Sequence, residues 1–169
     1  KAAKLLMKAR QAAKELGITF HVGSQTATPD AYVTALEEVG RLIGKAGVVL
    51  DRLDVGGGFP SIYADAAPAA LAAFMRTIRD GVERLPIGER CRLMCEPGRA
   101  LVAEAESLIV RVDARRGNEL FINDGSYGTL FDAAHLGFAY PVRLVSRPQD
   151  ITETLAPFSF WGPTCDTID

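Results

Sequence analysis

The chain has 169 residues, of which 48% are hydrophobic and 24% charged, a balance typical of a folded domain rather than a disordered or collagen-like chain. Its net charge is −2 and it contains no long basic run, which argues against binding to nucleic acid or anionic lipid. No apolar run reaches the roughly 18–20 residues that cross a bilayer, so the composition predicts a cytoplasmic protein.

The first hundred residues alternate between helical and strand patterns. Apolar residues at helical spacing predict helices over residues 1–16, 28–45 and 66–85, with Gly17 ending the first of them. Short apolar runs predict strands over residues 18–22, 48–55 and 92–96. This β-α-β-α-β order predicts parallel strands joined by crossover helices.

Past residue 99 the pattern changes to short alternating runs. Residues 107–115 and 119–123 flank Gly117-Asn118, which is a two-residue hairpin signal, and further strands are predicted over 142–145 and 158–161. We therefore predict an α/β chain with two parts. Residues 1–104 form part of an α/β barrel, and residues 105–169 form part of a mostly antiparallel β domain.

The cysteine and histidine content argues against disulfides and metal sites. Cys91 and Cys95 lie roughly 13 Å apart along a predicted strand, too far for a bridge, and Cys165 is the third cysteine. His21 and His135 lack zinc-ligand spacing. Reduced thiols suit a cytosolic protein.

Three polar residues end the three predicted strands of the first part. His21, Asp54 and Glu96 are each followed two positions later by a glycine. Because parallel strands bring their carboxyl ends to one edge of a sheet, these residues are expected to share the rim where α/β barrels carry their chemistry.

Each of these features also has a purely structural interpretation. The triple glycine at 56–58 would let backbone amides approach a phosphate, but it matches neither the Walker lysine pattern nor the dinucleotide fingerprint and could be a tight turn. Glu96 could be a solvated carboxylate, His21 a structural histidine, Asp54 a loop-holding residue and Cys165 an inert thiol. Together, however, an imidazole, a carboxylate and glycine loops are the parts that bind pyridoxal phosphate, whose ring nitrogen needs an anionic partner.

Five motifs of the chain resemble those of one family, the fold type III pyridoxal-phosphate decarboxylases, which act on ornithine, lysine and diaminopimelate. They occur in the family's order and with similar spacing: His21-Val-Gly-Ser-Gln25, Leu53-Asp-Val-Gly-Gly-Gly-Phe-Pro60, Glu96-Pro-Gly-Arg99, Asn123-Asp-Gly-Ser-Tyr-Gly128 and Gly162-Pro-Thr-Cys-Asp166. The resemblance implies an alanine-racemase-like (β/α)8 barrel followed by a β domain. It also implies a head-to-tail homodimer with shared active sites.

The resemblance implies a cofactor role for eight residues and a substrate role for three. His21 would stack on the cofactor ring and Glu96 would pair with its nitrogen. The phosphate and ring would be held by His21, Ser24, Gly57, Gly58, Glu96, Pro97, Gly98 and Arg99. Cys165 would return a proton to the substrate carbon after carbon dioxide leaves, Asp166 would receive the distal ammonium from the neighbouring subunit, and Asp132 would assist it.

Two departures limit what the chain can do alone. The lysine that binds the cofactor aldehyde and the C-terminal tyrosine near the phosphate have no counterparts, and Lys1 is not an initiator methionine. We therefore expect a partial chain that is inactive by itself. The resemblance favours decarboxylation of L-ornithine or L-lysine in polyamine biosynthesis, because diaminopimelate decarboxylases usually carry glutamate where Asp166 stands. Diaminopimelate decarboxylation, or a silent homologue that regulates a partner subunit, are the alternatives.

Overall fold

The computed structural model describes residues 1–63, 66–137, 139–147 and 156–169. These residues form two compact units. Unit one contains residues 1–62 and 66–105, and unit two contains Tyr63 with the described part of 106–169. Each unit is built on its own three-stranded sheet.

Unit one alternates helices and strands, as the apolar spacing predicts. Its elements are α1 (Ala2–Ala12), β1 (Gly17–Thr19), α2 (Asp30–Ala46), β2 (Arg52–Asp54), α3 (Leu71–Glu83), β3 (Arg92–Met94) and the short α4 (Arg99–Val102). The strands pair in parallel in the order β1-β2-β3. The predicted parallel sheet with crossover helices is therefore confirmed.

The core of unit one lies between α2, α3 and the central strand β2. Along α2 the buried face carries Tyr32, Leu36, Val39 and Ile43, which recur at helical spacing. Leu53 at the centre of β2 is fully buried. Burying such apolar side chains is the main favourable contribution to folding, at roughly 25 cal/mol per Å².

The predicted role of Gly17 as the end of the first helix is wrong. α1 ends at Ala12 and Ala13 is already extended. The Arg10 guanidinium donates to the Ala13 carbonyl at 2.6 Å, which satisfies an acceptor freed where the helix stops. Gly17 instead begins β1 opposite Arg52, where a Cβ would lie 3.2 Å from the Arg52 carbonyl oxygen. Glycine at this position therefore permits a close approach between strands.

Asp51 ties the end of α1 to the sheet. Its Oδ2 accepts hydrogen bonds from the Leu16 amide and from Arg10 Nη1, each at 2.7 Å. The Leu16 bond first, and the Arg10 bond next, hold the pKa of Asp51 below its usual range. The ionised carboxylate therefore stabilises the folded state.

We expect Asp51→Asn to remove an acid-sensitive part of the stability of unit one. Since the folded pKa lies below the unfolded value of about 3.9, the contribution is complete above that pH and is lost as pH falls through the folded pKa. Denaturant unfolding between pH 7 and pH 3 checks this: the wild type should lose more stability on acidification than the variant. Asp80→Asn, a change on α3 at a carboxylate that makes no hydrogen bond among the described residues, is the matched control.

Several predicted elements are shorter than expected, and one is wrong. α3 begins at Leu71 rather than at residue 66, and the predicted strand 48–55 pairs only over Arg52–Asp54. Residues 142–145 form no strand and are largely exposed, although their sequence favours one. Strand propensity alone does not form a strand, because a strand also needs a neighbouring segment that supplies hydrogen bonds.

Unit two contains the predicted hairpin. β4 (Val112–Arg116) and β5 (Glu119–Ile122) pair antiparallel across a turn in which Gly117 has φ +60°. β6 (Ser159–Trp161) joins the other edge of β5 in parallel, so the described sheet is mixed. The remaining helix is α5 (Phe131–Leu136).

Three further observations concern the described residues alone. None of their helices has the length and apolar character needed to cross a membrane. Cys91, Cys95 and Cys165 are free thiols. No group of three or more potential metal ligands comes together within this part of the chain.

Candidate functional sites in the two units

The three strand-end loops of unit one are hydrogen bonded to one another at the carboxyl edge of the sheet. The Glu96 amide donates to the Gly56 carbonyl at 2.8 Å, which joins the loop after β3 to the loop after β2. The Thr26 amide donates to the Gly58 carbonyl at 3.0 Å, which joins the loop after β1 to the same glycines. The triple glycine therefore lies between the other two loops.

The fit around these glycines excludes any larger residue. A Cβ on Gly58, which has φ +101°, would collide with the Gly23 carbonyl oxygen. A Cβ on Gly57 would lie 2.7 Å from the Glu96 carbonyl oxygen. The loop thus brings bare backbone to a surface that side chains would otherwise cover.

The peptide groups of this loop all have their carbonyl oxygens occupied. Glu96 N–H holds the Gly56 carbonyl, Thr26 N–H holds the Gly58 carbonyl, and a buried side-chain hydroxyl, Tyr32 Oη, donates to the Gly57 carbonyl at 2.8 Å. Among the described residues, no protein acceptor takes the N–H groups of Gly57, Gly58 or Phe59. Successive free N–H groups of this kind form a binding surface for an anion.

His21 and the backbone of Glu96 both lie next to Gly57. A Cβ on Gly57 would be 3.3 Å from His21 Cε1, so the imidazole packs directly beside the loop. Both side chains are exposed and accessible to a ligand. The structure thus brings the His21 imidazole and the Glu96 backbone to the glycine loop, at the rim that these residues were predicted to share.

The other predicted cofactor residues occupy the same loops. Ser24 is exposed in the turn after β1, beside Gln25, which has φ +56°. After β3 the chain passes through Pro97 and Gly98 into α4, whose first residue is Arg99.

Asp54 accepts the Gly56 amide on its Oδ1 at 2.8 Å. It holds the start of the glycine loop, which was the structural interpretation of this residue.

In unit two, Asp166 is oriented by Tyr127, which lies in one of the five motifs but had no predicted role. Tyr127 donates its hydroxyl to Asp166 Oδ2 at 2.6 Å, and the Ile168 amide donates to Oδ1 at 3.2 Å. The Tyr127 bond first, and the Ile168 bond next, hold the pKa of Asp166 below its usual range. An exposed, ionised and oriented carboxylate is suited to bind an ammonium group.

Asp169 joins the turn that carries Tyr127 to the turn that carries Asp166, and the sequence motifs gave it no predicted role. Its Oδ1 accepts the Ser126 amide at 2.6 Å and its Oδ2 accepts the Thr164 amide at 2.9 Å. Gly125 and Gly162 pack against the carboxylate so closely that a Cβ on either would collide with it. The only sequence signal was an aspartate three positions beyond Asp166.

We expect Asp169→Ala to loosen both turns of unit two, because two backbone amides lose their acceptor. Hydrogen exchange followed residue by residue should speed up at Ser126 and at Thr164 together. Asp169→Asn retains one acceptor oxygen, so only one of the two amides should lose protection. Unchanged exchange at both amides in Asp169→Ala would show that the carboxylate does not hold the turns.

The remaining predicted residues of unit two are exposed or half-buried. Cys165 is exposed beside Asp166. Asp132 lies half-buried in the first turn of α5, and no hydrogen bond or ion pair joins it to Asp166 among the described residues. The structure therefore pairs Asp166 with Tyr127 and not with Asp132.

The five lysines of the chain are all exposed, and none lies in a loop that follows a strand. Lys1 precedes α1, Lys4 and Lys8 lie on α1, Lys14 lies in the loop before β1, and Lys45 lies on α2. None of them follows a strand at its carboxyl end.

Comparison with known proteins agrees with this geometry. The family described as "Pyridoxal-dependent decarboxylase, pyridoxal binding domain" matches residues 1–103. The chain is 34% identical to a lysine/ornithine decarboxylase of Selenomonas ruminantium, over 97% of this chain and 42% of that protein. It is 32% identical to an ornithine decarboxylase of Panagrellus redivivus, over 99% of this chain and 43% of that protein. The chain thus spans less than half the length of these relatives.

A solved structure gives the same result for the fold. A lysine/ornithine decarboxylase of Vibrio vulnificus, crystallised with cadaverine, superposes with a TM-score of 0.83 at 28% identity, covering 99% of this chain and 46% of that one. The predicted alanine-racemase-like barrel fold is thereby confirmed. The chain belongs to the family of pyridoxal-dependent decarboxylases.

Proposed function

We propose that this chain is the part of a pyridoxal-phosphate-dependent decarboxylase that holds the cofactor phosphate and ring, and that the substrate is L-lysine or L-ornithine. The observation that carries the proposal is the meeting of His21, the glycine loop and Glu96 at one edge of a parallel sheet. The products would be the corresponding diamines, which places the enzyme in polyamine biosynthesis.

The glycine loop fits the phosphate group. Three N–H groups, on Gly57, Gly58 and Phe59, are without protein acceptors in the described part of the chain, and a dianion would satisfy them. The missing side chains leave room for the phosphate oxygens to approach the backbone. Ser24, Pro97, Gly98 and Arg99 belong to the loops on either side and would complete the contacts.

His21 and Glu96 fit the aromatic ring. The exposed imidazole beside Gly57 offers a flat face for stacking. The Glu96 carboxylate would accept a hydrogen bond from the protonated ring nitrogen and keep that proton in place. When bound, pyridoxal phosphate supplies an electron sink for the pair of electrons left by departing carbon dioxide.

The exposed residues of unit two fit the substrate. Asp166, held by Tyr127, would bind the distal ammonium of lysine or ornithine as an ion pair. The Cys165 Sγ would hold the proton that returns to the substrate carbon. Asp132 would assist Asp166 in binding the substrate. We propose that a second copy of the chain supplies these residues in a head-to-tail homodimer, and that the enzyme is cytoplasmic.

The experiment that tests this proposal is a substrate competition. The intact protein that carries this chain is supplied with pyridoxal phosphate and equal concentrations of lysine, ornithine and diaminopimelate, and the products are identified by mass spectrometry. Cadaverine or putrescine should form first. Diaminopimelate consumed first would overturn the substrate, and no decarboxylation of any of the three would overturn the enzyme and favour a silent regulatory homologue.

We expect Asp166→Ala to raise the KM for lysine and ornithine by about tenfold or more, because the ammonium loses its charged partner. The affinity for pyridoxal phosphate should change little. Asp113→Ala is the matched control, since Asp113 is an exposed carboxylate of the same unit that pairs with Arg111. Steady-state kinetics of both variants give the comparison, and equal KM values would remove Asp166 from the substrate site.

A further inference from the structure

The hydroxyl that holds the Gly57 carbonyl comes from a side chain with no exposed surface. Tyr32 lies in α2, and its ring stacks on Phe59 at 5.3 Å between centroids and meets Phe74 edge-on at 6.0 Å. Its hydroxyl donates to the Gly57 carbonyl oxygen at 2.8 Å inside the core. Burial, with a smaller effect from Cys95, raises the pKa of Tyr32 to about 12, so the hydroxyl keeps its proton at neutral pH.

The position of this hydrogen bond fixes the direction of the next amide. In a planar trans peptide the carbonyl and the following N–H point in opposite directions, and the described backbone contains no cis peptide. Because Tyr32 draws the Gly57 carbonyl toward the core, the Gly58 N–H points away from Tyr32. The Glu96 and Thr26 bonds likewise fix the orientation of the Gly57 and Phe59 amides, each of which points away from the residue that holds the preceding carbonyl.

The Gly57–Gly58 peptide is the one most in need of such an anchor. Both of its residues lack a Cβ, so their own side chains set no limit on the orientation of this peptide plane. A rotation by half a turn would present the carbonyl oxygen, instead of the N–H, to a bound anion and would repel it. The other two carbonyls of the loop are held by backbone amides, whereas this one depends on a side chain.

We propose that Tyr32 is a positioning residue for phosphate recognition: its buried hydroxyl holds the Gly57–Gly58 peptide in the orientation that directs the Gly58 N–H to the phosphate of the cofactor. This inference rests on the proposed function, since it assumes that the glycine loop binds the cofactor phosphate. It assigns to Tyr32 a contribution to the phosphate alone and none to the pyridine ring.

The test compares two ligands that differ only in the phosphate. In the intact protein that carries this chain, dissociation constants are measured for pyridoxal phosphate and for pyridoxal, and their ratio gives the phosphate preference. Tyr32→Phe keeps the ring in its stack and removes the hydroxyl. The preference should fall by about three- to tenfold, as expected for one hydrogen bond, while the affinity for pyridoxal stays within about twofold. The affinity for inorganic phosphate, measured by competition with pyridoxal phosphate, should fall by the same factor.

Ile78→Val is the matched control for a general loss of core packing. Ile78 is buried on α3 and makes no hydrogen bond to the glycine loop. Its variant should keep the wild-type phosphate preference. An unchanged preference in Tyr32→Phe, or an equal fall in Ile78→Val, would overturn the role of Tyr32 and leave the proposed function standing. A wild-type protein with no preference for the phosphorylated ligand would overturn both.

Discussion

Glu96→Gln is expected to lower kcat by about 10²- to 10³-fold, the usual effect of removing one preorganised electrostatic partner from a reacting centre. A neutral amide cannot keep the ring nitrogen protonated, so the electrons released with carbon dioxide lose their sink. Affinity for pyridoxal phosphate should fall much less, because the phosphate contacts lie on the glycine loop. Single-turnover release of carbon dioxide, together with fluorescence titration of the cofactor, separates the two effects.

Glu89→Gln is the control for this substitution. Glu89 is an exposed carboxylate in the loop that precedes β3, whereas Glu96 follows the same strand. Its variant should retain wild-type turnover. Near-wild-type kcat in Glu96→Gln would instead mean that another group holds the ring proton, and the role assigned to Glu96 would be wrong.

The second large effect is expected at Gly58, where alanine should reduce both folding stability and cofactor binding. A positive φ imposed on a residue with a Cβ costs about 1–3 kcal/mol, and forcing the Cβ against the Gly23 carbonyl costs about 1–3 kcal/mol more. We therefore expect a loss of about 2–6 kcal/mol in the free energy of unfolding. The displaced loop should also lose its contacts to phosphate.

Gly44→Ala is the opposite case within the same unit. Gly44 is an exposed residue inside α2, and a Cβ there would meet no atom within 4 Å. Alanine should therefore stabilise the protein by about 0.5–1 kcal/mol. Thermal unfolding of the two variants side by side gives the comparison, and equal stabilities would contradict the close packing of the glycine loop.

Much of unit one could be predicted because its information is local. The spacing of Tyr32, Leu36, Val39 and Ile43 specifies which face of α2 is buried, and the structure buries all four. Because parallel strands have their carboxyl ends at one edge of the sheet, the order of the strands was enough to predict that His21 and Glu96 share that edge. The apolar residues 48–50 favour a strand but form none, and Val48 and Leu50 are instead buried in the core next to β2.

The parts that could not be predicted depend on contacts between distant residues. Tyr32 and Gly57 are 25 positions apart, and Tyr127 and Asp166 are 39 apart. Nothing in the local sequence distinguishes a tyrosine whose ring fills the core from one whose hydroxyl also holds a loop. The role of Gly17 was mistaken for a similar reason, since its partner Arg52 belongs to another strand.

The most direct test of the account is a crystal structure of the intact protein with pyridoxal phosphate bound. We predict that the phosphate contacts the N–H groups of Gly57, Gly58 and Phe59, that His21 lies on one face of the ring, and that the Glu96 carboxylate accepts a hydrogen bond from the protonated ring nitrogen. A cofactor bound elsewhere, or a phosphate held without the glycine loop, would contradict the account.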